Sequence, residues 1–199
     1  MDAVEFNPSV TPRIKAHTRT LSSAARIQLS SSEIDLYSGD QKTLSASATR
    51  SEMDASGIVW ESSDTSVAAV NGSGVVTAKN PGTATITCYG KNARGIRAAC
   101  KVTVKLRQTT GVKLVSGAFN RIRISWKVVP GCNRYDIYRW DESGNSKKMA
   151  TVAADVVTWQ DTAVKTGSTY TYRIRASYVR SGKNTVYGAT SSPLSAKAE

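Results

Sequence analysis

From Arg26 onward, apolar side chains recur at every second position, and the alternation is interrupted every few residues by glycine, asparagine, aspartate or proline. Ile27 and Leu29 alternate with polar neighbours, as do Ile34 and Leu36, and the pattern returns in Thr43–Thr49. Ile58-Val59-Trp60, Val67, Val70, Val75, Val76, Ala84, Ile86, Val102 and Val104 continue it. A repeat of two belongs to strands with one buried face, whereas a helix needs a repeat of 3.6. No segment holds the helical repeat beyond a turn or two. Ser38-Gly39-Asp40, Asp54–Gly57, Asn71-Gly72-Ser73-Gly74, Asn80-Pro81-Gly82 and Arg94-Gly95 read as the turns between strands. Many short strands separated by turn chemistry fold as a β-sandwich or barrel.

The same grammar starts again after Arg107–Gly111, a short polar stretch that reads as a boundary. Ile122, Ile124 and Trp126 alternate with Arg121, Arg123, Ser125 and Lys127; Pro130-Gly131 turns the chain; Tyr135 and Ile137 alternate with Asp136 and Tyr138. Asp141–Asn145 reads as a hairpin turn, and Tyr170, Tyr172, Ile174 and Ala176 alternate with Thr171, Arg173, Arg175 and Ser177. The expected fold class is all-β: two tandem antiparallel β-sandwiches, over 26–106 and 112–199, joined by a linker at 107–111. Residues 1–25 lack a strict period, carry Asn7-Pro8 and Thr11-Pro12, and read as a leader, a linker or the tail of a preceding module. Met1–Phe6 has neither the basic start nor the apolar core of a secretory signal. No stretch approaches the roughly 20 apolar residues of a membrane-spanning helix.

Charge divides the two halves. Residues 1–106 carry 12 basic and 9 acidic side chains, a balance of +3, and residues 107–199 carry 15 and 6, a balance of +9. A surface of that sign suits polyanions or simply keeps a Ser/Thr-rich module in solution. No nucleic-acid-binding motif accompanies it. Catalysis is poorly provided for. His17 is the single histidine and lies in the leader, so no Ser-His-Asp arrangement is credible. Gly72-Ser73-Gly74 and Asn80-Pro81-Gly82 are hairpin turns rather than phosphate loops before helices. Asp141-Glu142 falls in a turn, where solvation accounts for it. Asp54 and Asp64 are far short of the roughly 6–8 oxygens calcium takes. No cofactor, metal or catalytic residue is therefore expected.

Trp60–Val70, continued by Gly74-Val75-Val76-Thr77-Ala78 and Pro81-Gly82-Thr83-Ala84-Thr85-Ile86-Thr87, resembles the bacterial Ig-like group 2 domain; Leu36–Leu44 fits its opening, and the resemblance covers about Arg26 to Lys105. It implies Trp60 as a core anchor with Val67 and Val70 packed beneath it. Residues 112–198 resemble a fibronectin type III domain through Ile122–Trp126, Gly131–Arg139 and Lys165–Ala176. There Trp126 matches the core tryptophan and Tyr170 the tyrosine corner, whose phenol bonds a backbone group near a strand start. The combination is similar to the C-terminal regions of cell-surface and secreted proteins of Gram-positive bacteria. It implies a non-catalytic adhesive or spacer unit, extracellular or at the bacterial cell surface, monomeric within a larger polypeptide. Two other roles fit the same domains: accessory binding module of a secreted carbohydrate- or wall-active enzyme, and surface-adhesion module of a phage virion.

Three cysteines are present, Cys88, Cys100 and Cys132. A hairpin with the three-residue loop Ala93-Arg94-Gly95 sets Cys88 opposite Cys100 on the core face. Two readings follow, a disulfide favoured by export or two buried free thiols. Cys132 has no evident partner.

The candidate binding residues are Tyr138, Trp140, Arg173 and Arg175. With Tyr135, Ile137, Tyr170, Tyr172 and Ile174 inward, Asp136, Tyr138, Trp140, Thr171, Arg173 and Arg175 face outward on neighbouring strands. Aromatic rings stack on sugars and arginines hold carboxylate, sulfate or phosphate through paired N–H groups. Acidic glycans or cell-wall polymers would suit such a strip. An ordinary solvated face with arginine packed on aromatics is the plain alternative.

Overall fold

The computed structural model describes residues 25–49, 57–118 and 120–199. The leader expected over 1–25, apart from Ala25, lies outside them, as does Asp54. Every described element is a strand. The first unit is built from β1 (Ile27–Leu29), β2 (Glu33–Tyr37), β3 (Gln41–Thr43), β4 (Ala46–Ala48), β5 (Ile58–Ser62), β6 (Ala68–Val70), β7 (Val75–Ala78), β8 (Gly82–Gly90) and β9 (Ala93–Lys105). One sheet runs β2-β9-β8-β5, the facing one β3-β7-β6, and β1 pairs with β4. The alternation sends Ile34 and Leu36, Val76 and Ala78, Ala84 and Ile86, and Cys100, Val102 and Val104 into the space between the sheets. Trp60 is half-buried and packs against both this cluster and a smaller one around Ile27 and Cys88. Gly74, at φ +77°, lies so close to the Trp60 indole that a Cβ there would sit 2.9 Å from it.

Pairing is antiparallel with one exception. β2 runs parallel to β9, from Glu33 opposite Lys101 to Tyr37 opposite Lys105, which corrects the expectation of wholly antiparallel sheets. The chain leaves β2 through the turn at Gly39 (φ +92°) and crosses to the opposite sheet as β3. β2 is therefore not the arm of a hairpin. It is an edge laid along the last strand of its unit.

The β8–β9 hairpin also differs from expectation. Its turn falls at Lys91-Asn92, with Gly90 opposite Ala93 and a bulge at Tyr89/Gly90. Gly95 is inside the strand and lacks a positive φ. Cys88 therefore stands opposite Ala98, and Cys100 opposite Ile86. Diagonal neighbours on paired strands are roughly 7–8 Å apart, beyond the reach of a disulfide. Both thiols are free and fully buried, and burial pushes both above the ordinary thiol range.

The second unit comprises β10 (Lys113–Ala118), β11 (Arg121–Ser125), β12 (Arg134–Trp140), β13 (Ser146–Ala153), β14 (Thr158–Asp161), β15 (Thr169–Tyr178), β16 (Val186–Tyr187) and β17 (Leu194–Lys197). A sheet β10-β11-β14 faces a sheet β13-β12-β15, whose outer edge is shared by β16 and β17. Between them lie Ile122, Ile124, Trp126, Tyr135, Ile137, Tyr170, Tyr172 and Ile174. Trp126 meets Tyr135 edge to face at 5.4 Å. The Tyr170 hydroxyl accepts from the Lys165 backbone N–H at 3.0 Å, which is the tyrosine-corner geometry. The Tyr135 hydroxyl accepts from the Val129 N–H at 2.8 Å. Each buried phenol thus keeps its polar end satisfied.

Candidate functional site

The outer face of the sheet β13-β12-β15 carries the aromatic and arginine side chains singled out in the sequence. Strand alternation turns Tyr138 and Trp140 outward from β12, and Arg173 and Arg175 outward from β15. Antiparallel register sets Tyr138 opposite Arg173 and Trp140 opposite Thr171. The long side chains lean across the sheet and interleave. The Arg173 guanidinium lies 5.6 Å from the Trp140 ring centre, and Arg175 lies 5.9 Å from that of Tyr138. Tyr138 and Trp140 are themselves 6.4 Å apart. The four expected residues therefore form one continuous strip.

A fifth residue completes it. Tyr187, on β16, sits opposite Ser177 and receives the Arg175 guanidinium at 3.8 Å, the shortest stacking distance in the molecule's described part. Sequence reasoning missed Tyr187, because its two-residue strand has no alternation to read. Only the pairing of β16 with the end of β15 brings it to Arg175. The order across the face is Trp140, Arg173, Tyr138, Arg175, Tyr187. Stacking fixes each guanidinium plane against a ring; the Arg175 Nε is buried beneath the stack without a partner, which leaves its terminal amino groups as the donors.

Asp136 faces outward as expected but is not exposed, because Thr151 and Lys148 of β13 close over it. The Thr151 hydroxyl donates to its carboxylate at 2.6 Å and the Lys148 ammonium lies at 3.4 Å. Asp136 stands opposite Arg175 in register, yet its charge is turned to these two partners. The six ion pairs among the described residues use Lys101, Lys105, Arg107, Arg139, Lys148 and Arg180. Arg173 and Arg175 are in none of them.

Directly beneath the strip, on the core side, Asp161 is buried and accepts from Arg139 at 2.8 Å, from the Tyr172 hydroxyl at 2.9 Å and from the Ala163 N–H at 2.9 Å. Burial raises the Tyr172 phenol far above its ordinary value, and the bond to Asp161 adds to that. This cluster has the composition of a catalytic group but the accessibility of a core brace. Among the described residues no group of three or more His, Cys, Asp or Glu could hold a metal. At Asp141–Asn145 the Asp141 carboxylate accepts the N–H groups of Ser143 and Asn145. The sequence put Asp141 down to solvation, whereas its carboxylate braces its own turn. Cys132 is a free thiol against the second core.

Residues 23–102 match the family model of the bacterial Ig-like domain (group 2), a kind of module commonly found in extracellular or surface proteins and typically non-catalytic. An uncharacterized protein of Clostridium acetobutylicum is 36% identical over 81 residues, 41% of this chain and 8% of that protein's length. The chain thus matches only a small part of that curated relative. Among solved structures, an Fn3-like protein from Clostridium thermocellum is 26% identical, over 46% of this chain and 91% of that one, at a TM-score of 0.37. An FN3 domain of human collagen XX is 16% identical over 46% of this chain and 91% of that one, at a TM-score of 0.39. The protein is modular: two β-sandwiches in tandem, of which the first carries the match to the bacterial Ig-like (group 2) model.

Proposed function

We propose that this protein is a non-catalytic unit of a bacterial cell-surface or secreted protein. Its first sandwich acts as a spacer and its second attaches to an anionic glycan or cell-wall polymer. The observation that carries the reading is the ladder Trp140, Arg173, Tyr138, Arg175, Tyr187. Its two guanidiniums stand on aromatic faces without a carboxylate partner among the described residues. Successive outward residues of one strand are about 7 Å apart, so the arginines offer two donor sets along a line. A polymer with carboxylate, sulfate or phosphate groups along its length supplies acceptors to match, and its sugar rings supply faces for Trp140 and Tyr138. Such binding is weak per site, strengthened by repetition and sensitive to salt.

The test is retention of the protein on immobilised dextran sulfate and polyglucuronate at low salt. Arg173→Ser with Arg175→Ser is compared with a charge-matched control, Arg121→Ser with Arg123→Ser, on the exposed face of the opposite sheet. Loss of retention confined to the first pair supports the reading. Equal loss in both would make net charge the whole of the effect, and no loss in either would end the proposal.

A further inference from the structure

We propose that the two sandwiches are locked into one rigid body in solution, the end of the first unit being a docking surface for the Pro130-Gly131 turn and the Arg180 loop of the second. This is independent of whether the ladder binds a polymer. Tandem domains move relative to one another unless their joint is extensive or constrained. Here the connection has no slack. Lys105 is still paired with Tyr37 in the first unit, and the very next residue, Leu106, is buried in the second core.

The residues that read as a linker are pinned along the second unit. Gln108 Nε2 donates to the Thr190 carbonyl at 2.8 Å. Thr109 is buried, and its hydroxyl accepts from the Ala176 N–H at 3.2 Å. Lys127 N–H donates to the Thr110 carbonyl at 3.0 Å. Gly188 lies so close that a Cβ there would come within 2.6 Å of the Arg107 carbonyl.

Three further contacts flank this link. Arg107 stacks on Tyr37 at 4.6 Å and pairs with Asp40 at 2.5 Å. Arg180 pairs with Asp64 at 2.9 Å from the other side. The Ser66 hydroxyl and Arg180 hold the Asp64 carboxyl well below the usual range, so this pair keeps its charge into acid. Between them, Gly131 (φ +75°) is pressed onto Ser38, and a Cβ there would also meet the Lys79 carbonyl at 2.8 Å. Ser38 is a surface turn residue by sequence, yet it is 1% exposed. Pro130 covers the neighbouring Gly39.

Backbone amide relaxation on the full chain tests the lock. A rigid body gives the two units one shared tumbling time; independent units give two shorter ones. Gly131→Ala is compared with Gly144→Ala. Gly144 has nearly the same positive φ (+80°) with nothing within 4 Å of its would-be Cβ, so both variants carry the same backbone strain and only the first meets the other unit. The expected result is one shared time in the unaltered protein and in Gly144→Ala, and a split into two in Gly131→Ala. Should Gly131→Ala unfold the second unit, Ser38→Gln, which adds bulk from the opposite side of the same contact, replaces it with the same expectation. Two times in the unaltered protein, or a shared time that survives both fillings of the contact, would overturn the proposal.

Discussion

The two sandwiches solve one architectural problem with different chemistry. The first fills its interior with aliphatic side chains, alanines and two thiols, and its one tryptophan remains half-buried between two clusters. The second is built on aromatics, with Tyr135 and Tyr172 wholly buried beside Trp126 and Tyr170. Aliphatic burial stabilises in proportion to area and makes few geometric demands. Buried phenols add area but require a partner for each hydroxyl. The second unit meets that demand with Val129 N–H, Lys165 N–H and the Asp161–Arg139 pair. The comparison teaches that strand alternation selects the architecture, while the content of the core decides which conditions dissolve it.

The largest effect is expected at Asp161→Ala, which strands a largely buried Arg139 and an unpaired Tyr172 hydroxyl. Loss of about 3–5 kcal/mol is expected, because removing one partner leaves the other charge uncompensated. Urea unfolding followed by the tryptophans of each unit should move the second transition and leave the first nearly in place. Ile86→Ala, the aliphatic counterpart in the first unit, should cost about 2–5 kcal/mol through the cavity it leaves. A shift of the second unit's transition instead would erase the distinction between the two cores.

Tyr172→Phe should cost about 1.5–3 kcal/mol, the range for a hydrogen bond to a charged group. It also removes one phenol's share of the pH dependence. Burial raises the phenols of Tyr135 and Tyr172 above their ordinary value near 10. The folded unit therefore holds its protons where the unfolded chain has released them. The resulting stability is complete below about pH 10 and falls as pH rises above it. Thermal melts at pH 10 and above should show the second unit losing stability as pH rises, and less steeply in Tyr172→Phe. Ser38 Oγ is buried without a partner, so Ser38→Ala should leave stability unchanged or raise it by up to about 1 kcal/mol in calorimetry. Smallest of all is the effect of reductant on the first unit's melting. A disulfide would contribute about 2–4 kcal/mol, whereas the free Cys88 and Cys100 predict no change.

Face assignment was legible because a period of two is the strand's own repeat. Ile34, Leu36, Ile122, Ile124, Tyr135, Ile137 and Tyr172 all point inward as read. The turns at Gly39, Gly74, Gly131 and Gly144 were legible because each needs a positive φ. Register was not. A slip of one residue exchanges the two faces of a strand and would contradict the apolar pattern, but a slip of two preserves them. The β8–β9 hairpin fell into that blind spot, and with it the pairing of Cys88 and Cys100. The ladder was legible as far as the long strands β12 and β15 reach. Tyr187 and the burial of Asp136 depend on short or bulged neighbours, β16 and β13, whose placement carries no periodic signature.

The parallel pairing of β2 with β9 gives the first unit a mechanical character of its own. β2 follows only the short β1 and β9 closes that sandwich, and the two lie side by side in the same direction over five residue pairs. Tension applied to β2 at Glu33 and to β9 at Lys105 would draw them in opposite directions along their length. The hydrogen bonds between them would then bear the load together, in shear, instead of parting one after another like a zip. The second unit has no such clasp, since β10 and β17 each pair only with antiparallel neighbours. Stretched between its ends on a single-molecule instrument, the protein should yield first in its second sandwich; rupture of the first at lower force would show that the clasp carries no load.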